Sequence, residues 1–97
     1  MIIRIVKMTF EPQKTDQFLE IFNESKELIR NMEGCSHLEL LNDVNSRNIF
    51  FTYSYWNSEA DLNNYRNSQV FNTIWAKTKA MFSAKAEAWS VEQKVFL

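Results

Sequence analysis

Two stretches of this chain keep the two-residue rhythm of a β-strand while being apolar on both parities, and that limits the folds open to it. In residues 2–10, Ile2, Val6, Met8 and Phe10 fall on one parity, Ile3 and Ile5 on the other. In residues 49–56, Phe51, Tyr53 and Tyr55 oppose Phe50 and Trp56. A strand apolar on both faces needs cover on both, as the middle strands of a sheet do. These two stretches therefore belong at the centre of the fold.

The pattern between and after them supplies the other elements. Pro12 stands where a first helical turn tolerates it. Up to Met32 the apolar residues Phe18, Leu19, Ile21, Phe22, Leu28 and Ile29 keep helical spacing, with Glu20, Glu24, Lys26 and Glu27 opposite. Gly34 follows as a helix stop. Residues 35–43 read as a strand, with Leu38 and Leu40 on one face and Cys35, His37, Glu39 and Leu41 on the other. Residues 43–48 carry hairpin-loop chemistry.

Ser58-Glu59-Ala60-Asp61 has the form of a capping box with Asp in place of the usual Glu, and opens a second helical stretch. Asn67-Ser68 interrupts it. Val70, Phe71, Ile74, Trp75, Thr78, Met81 and Phe82 then form an apolar stripe. Residues 84–95 end the pattern as a strand, with Trp89 and Val91 on one face and Ala84, Ala86 and Ala88 on the other.

The order strand, helix, strand, strand, helix, strand predicts an α+β, ferredoxin-like βαββαβ domain. Right-handed crossovers put both helices on one face of a four-stranded antiparallel sheet, with the first and third strands central. Two helices cover one face only. The bare face would expose more apolar surface than a monomer tolerates, so a homodimer packed sheet to sheet is expected.

Composition narrows the chemistry. The chain has 97 residues, which is one domain, 1–97, with no room for a second core. A net charge of −1 with interleaved acids and bases offers no basic stripe, so nucleic acid is not an expected partner. One glycine excludes the glycine-rich phosphate loops. One histidine and one cysteine exclude His/Cys zinc sites and the two-histidine iron site, so no metal is expected. The start lacks a signal peptide's apolar core, no apolar run reaches membrane-spanning length, and the lone Cys35 suits a reducing cytoplasm.

The sequence then shows a specific likeness. Gly34-Cys35 with Leu38-Glu39-Leu40, followed by Phe51-Thr52-Tyr53-Ser54-Tyr55-Trp56-Asn57-Ser58-Glu59, resembles the antibiotic biosynthesis monooxygenase (ABM) domain family. Leu62, Tyr65, Ser68, Phe71, Trp75, Lys85 and Trp89 continue the pattern over nearly the whole chain. The resemblance implies a dimeric α+β barrel. It also implies either oxygenation of anthrones or quinols without metal or flavin, or haem degradation. For haem degradation it places Trp75 at the axial histidine's position and Val6 at that of a first-strand asparagine. Indole is no axial ligand, so haem chemistry is not expected.

Cofactor-free oxygenation needs an aromatic-lined pocket, a base or acceptor, and polar groups to hold an anion. His37, Trp56 and Tyr65 are the catalytic candidates, with His37 able to titrate near neutrality. Tyr53, Phe71, Trp75 and Trp89 are the substrate-binding candidates. Each also suits a plainer role: Trp56 and Trp75 as core, Tyr65 as a solvent-facing phenol, His37 as a surface or interface imidazole, Tyr53 as a partner-facing group. The expected function is a cofactor-independent monooxygenase for a small electron-rich aromatic. The alternative is a non-catalytic dimeric barrel that binds or senses an apolar small molecule.

Overall fold

The computed structural model describes residues 1–97. Its strands are β1 (Ile2–Thr9), β2 (Cys35–Asn42), β3 (Ile49–Trp56) and β4 (Glu87–Val91), and its helices are α1 (Thr15–Arg30), α2 (Glu59–Arg66) and α3 (Gln69–Lys79). The sheet is antiparallel throughout, in the order β2-β3-β1-β4. The two strands apolar on both faces are the central pair, as their pattern requires. No helix is long and apolar enough to cross a membrane.

Local chemistry sets the boundaries. A short 3-10 turn with Pro12 at its first position leads into α1. In place of one second helix there are two, because Ser68 ends one hydrogen-bond ladder and starts another by accepting from the Phe71 N–H at 3.1 Å. Ser58 does the same for α2, accepting from the Asp61 N–H at 3.1 Å, and its hydroxyl donates to the Asp61 carboxylate. In the β2–β3 loop, Asp43 Oδ2 accepts from the Ser46 N–H at 2.7 Å and the Asn45 N–H at 3.0 Å. Those two bonds hold its carboxyl below the ordinary range.

Three details depart from the pattern read in the sequence. β4 spans Glu87–Val91 and not 84–95, because its one partner is β1, and pairing runs from Lys7↔Glu87 to Ile3↔Val91. Gly34 is not the stop of α1. That helix ends at Arg30, and Gly34 lies in the turn to β2 at φ +87°, its carbonyl accepting from the Asn57 N–H at 2.8 Å. Cys35 and His37 do not share a face. Pairing steps from Cys35↔Trp56 to His37↔Tyr55, and the irregularity between them turns Cys35 under the helices and His37 to the open side.

Gly34 is the one glycine whose conformation is required. A Cβ there would lie 2.4 Å from Asp61 Cγ, on the carboxylate that accepts from the capping Ser58 hydroxyl. Gly34→Ala is expected to lower stability by about 1–2 kcal/mol from the left-handed backbone alone, and further where Asp61 is displaced. Urea unfolding followed by circular dichroism measures it.

The core forms two clusters under the helices. Met8, Phe10, Phe18, Phe50 and Met81 make the first, with Phe10 wholly buried and stacked on Phe18 at 4.2 Å. Cys35, Trp56 and Leu62 make the second, with Tyr65 and Met32 against it.

Candidate functional site

Between these clusters the helices leave a cavity of about 310 Å³ over the covered face of the sheet. Its floor alternates residue by residue, as strands must. Arg4, Val6 and Met8 come from β1, Thr52, Ser54 and Trp56 from β3, Leu38 from β2, and Ala88 from β4. Its roof is mostly apolar: Phe18, Phe22 and Ile29 from α1, Leu62 and Tyr65 from α2, Phe71, Ile74 and Trp75 from α3, with Arg66 and Thr78 as the polar exceptions. Of the nineteen lining residues, fourteen are hydrophobic, which is the make-up of a small-molecule site.

One wall is a continuous run of rings. Trp56 stacks on Tyr65 at 4.9 Å and 19°, Tyr65 meets Phe71 edge-on at 5.2 Å, and Phe71 stacks on Trp75 at 5.8 Å and 12°. The run crosses the break at Asn67-Ser68, with Tyr65 on α2 and Phe71 and Trp75 on α3. Trp56 is 1% exposed, and its Nε1–H donates to Ser54 Oγ at 2.9 Å, so the indole is fixed at both ends.

The polar groups of the cavity are few. Burial, then the neighbouring Cys35, pushes the Tyr65 phenol far above its usual value, so it stays neutral and able to donate. Burial also pushes the Cys35 thiol up, which makes it a poor nucleophile. Cys35 lies in the core cluster with Trp56 and not in the lining. The polar lining is the hydroxyls of Thr52, Ser54, Tyr65 and Thr78 and the guanidiniums of Arg4 and Arg66, with no Asp, Glu, His or Lys. No group of three or more His, Cys, Asp and Glu side chains converges anywhere in the fold.

Four of the seven candidates read from the sequence meet here: Trp56, Tyr65, Phe71 and Trp75. The other three lie on the opposite, open face. His37 is opposite Tyr55 and hydrogen-bonded to Glu39, Tyr53 is in register with Ile5, and Trp89 is 45% exposed beside Ile5. Strand parity is the reason, since Tyr53 is one residue out of phase with Ser54 and Trp89 with Ala88. Arg4, Ser54 and Arg66 were missed. Arg4 shares the parity of Ile2, Val6 and Met8, and that signal was available.

A family model described as antibiotic biosynthesis monooxygenase (ABM) matches residues 1–77. The chain belongs to that family. The match runs from β1 through most of α3, and so includes nearly all of the cavity's walls. No curated protein matches the chain by sequence. Among solved structures, a crystal structure of an antibiotic biosynthesis monooxygenase is similar at TM-score 0.90 and 18% identity, covering 96% of this chain and 98% of that one. A conserved protein of Methanosarcina mazei Go1 is similar at 0.89 and 21%, covering 97% and 94%. The Rv0793 protein of Mycobacterium tuberculosis is similar at 0.88 and 12%, covering 98% and 96%. At such identities these likenesses show the ABM fold alone.

The residues of this ABM cavity do not fit a haem. Trp75 is stacked on Phe71, the one imidazole lies on the other face of the sheet, and the Tyr65 phenol is held protonated.

Proposed function

We propose that the protein is a homodimeric, cytoplasmic, cofactor-independent monooxygenase acting on a small electron-rich aromatic of the quinol or anthrone kind. One observation carries this: an apolar cavity of ligand size, walled by Trp56, Tyr65, Phe71 and Trp75 in an unbroken run. About 310 Å³ is at the small end of ligand cavities, which are roughly 300–1,000 Å³.

The chemistry asked of the protein is modest. An ionised anthrone gives one electron to dioxygen, the two radicals combine at the ring carbon, and the peroxide loses water. A ring CH2 thereby becomes C=O, with one oxygen atom kept and the other leaving as water with both hydrogens. The rings of Phe71 and Trp75 hold the flat substrate, and the neutral Tyr65 phenol donates to the developing oxyanion. His37 enters this scheme only if it reaches substrate from the far face of the sheet. Ionisation of the substrate therefore falls to the polar groups of the cavity.

One feature favours a second function, that of a dimeric barrel that binds or senses an apolar small molecule without turning it over. The cavity lining holds no carboxylate and no imidazole to act as a base.

Oxygen uptake by the pure protein over a panel of hydroquinones and anthrones, corrected for autoxidation, separates the two. The monooxygenase predicts saturable uptake that falls about tenfold or more in Phe71→Ala, as loss of a positioning contact does. Binding of the same compounds without uptake would leave the second function. An unchanged rate and pH profile in His37→Ala would remove the imidazole from the reaction.

A further inference from the structure

Arg4 is out of place for a structural residue. It lies on a central strand, on the face the helices cover, at the parity of Ile2, Val6 and Met8. A charge there costs stability unless something compensates it. The protein itself supplies little. The ion pairs of the structure are Lys7–Glu87, His37–Glu39 and Lys94–Glu92, and neither cavity arginine is in one. Arg4 Nη1 donates to the neutral Ser90 hydroxyl at 3.0 Å, while a guanidinium carries five N–H donors. None of the chain's twelve acidic residues lines the cavity.

Arg66, in the last turn of α2, brings a second positive charge to the same cavity. Burial and then Arg66 lower the Arg4 guanidinium's affinity for its proton. Two like charges thus line one largely apolar cavity, Arg4 half-buried and Arg66 exposed, in a protein whose net charge is −1. Arg4 pairs with Ser54 in the β1–β3 register, so it shares the cavity floor with Ser54 and Trp56, while its guanidinium reaches Ser90 on β4.

We infer that the ligand of this cavity is an aromatic oxyanion, its flat body against the Trp56–Trp75 wall and its negative group between Arg4 and Arg66. The inference rests on the cavity being the ligand site, as proposed above, and adds the charge of the ligand. A carboxylate or an ionised ring hydroxyl supplies the same chemistry, a planar or single oxyanion taken by guanidinium donors. It also answers the missing base. An arginine pair that favours the ionised form of a bound ring hydroxyl lowers that hydroxyl's own pKa, so the substrate arrives as the electron-rich anion without a protein proton acceptor.

The test uses the full chain and three probes of one shape, titrated by quenching of tryptophan fluorescence: 2-naphthoate, neutral 2-naphthalenemethanol and cationic 2-naphthylmethylammonium. The anion is expected to bind at least about tenfold more tightly than the alcohol, with the cation weakest. Arg4→Gln and Arg66→Gln are expected to erase the preference while the alcohol's affinity stays within about twofold. Arg4→Lys, which keeps the charge without the fork, should retain part of it.

A fourth probe, 2-naphthol, distinguishes the two sources of the anion. Ionisation of bound naphthol at a pH lower by a unit or more, reversed by Arg4→Gln, identifies a ring hydroxyl. Naphthoate preference without that shift identifies a carboxylate. If the alcohol binds as tightly as naphthoate to the wild-type protein, the cavity stands and the anion is overturned. If no probe binds, the cavity falls with it.

Discussion

Trp56→Ala is expected to lower the free energy of unfolding by about 3–5 kcal/mol, seen as a large fall in the urea midpoint at unchanged slope. The reasons add at one residue. The indole is almost wholly buried between Cys35 and Leu62, and alanine would leave a void joined to the existing cavity. Its Nε1–H is the donor to Ser54 Oγ, and that hydroxyl, on a serine 6% exposed, would lose its partner. Tyr65 would lose the ring it stacks on. A domain of this size has about 5–15 kcal/mol in all, so the variant would stand near the edge of folding.

Trp56→Phe separates these contributions. It keeps a ring against Tyr65 and loses the indole donor and part of the volume, so roughly half the penalty or less is expected. A full penalty in the phenylalanine variant would mean that the hydrogen bond to Ser54 dominates and the stacking is incidental. The same arithmetic explains why loss of turnover in Trp56→Ala says little about catalysis, and why Phe71→Ala is the better probe of the cavity. Phe71 is half-buried, and it touches the space from α3 without closing a core cluster.

Periodicity made the architecture legible because the two central strands state their position twice, once on each parity. It also disclosed the helix break, since Ser68 is an N-cap residue set inside a helical run. It did not disclose which aromatics share the cavity. Tyr53 and Trp56 are three residues apart on one strand, and parity alone sends them to opposite faces. Trp89 was likewise separable from Ala88 by parity, but the likeness to ABM sequences grouped it with the cavity residues. His37 was harder. The irregularity between Cys35 and His37 breaks the alternation of β2 at its start, and nothing in the local sequence marks it. The arginines were overlooked for a different reason. A charge in an N-terminal strand reads first as an interruption, and only the covered parity of Arg4 makes it part of a site.

Trp89→Glu is expected to convert a homodimer into a monomer. The face of the sheet away from the helices carries Ile5, Phe51, Tyr53, Tyr55, Leu41, Trp89 and Val91 around an Ile3 already buried in the single chain, joined by the registers Ile5↔Tyr53, Ile5↔Trp89, Ile3↔Tyr55 and Ile3↔Val91. Leu41, Trp89 and Val91 are each 40% or more exposed in the single chain. A contiguous apolar face of this kind seeks a partner. A second copy suits it best, because a two-fold axis lets one patch serve both sides. The charges on the same face are matched within the chain, Lys7 with Glu87 and His37 with Glu39, so a like copy meets little uncompensated charge.

At a two-fold interface a single Trp89→Glu substitution places two carboxylates in the joint and removes two indoles. Association should weaken about a hundredfold or more, on the scale of an interface hot spot. Light scattering behind size exclusion reads the result directly. The wild-type protein should carry the mass of two chains at micromolar concentration, and the variant the mass of one. The cavity lies on the other side of the sheet, so the monomeric variant should still bind the neutral naphthalene probe. A wild-type protein that runs as one chain, or a variant that remains a dimer, would show that this face is not where two copies meet.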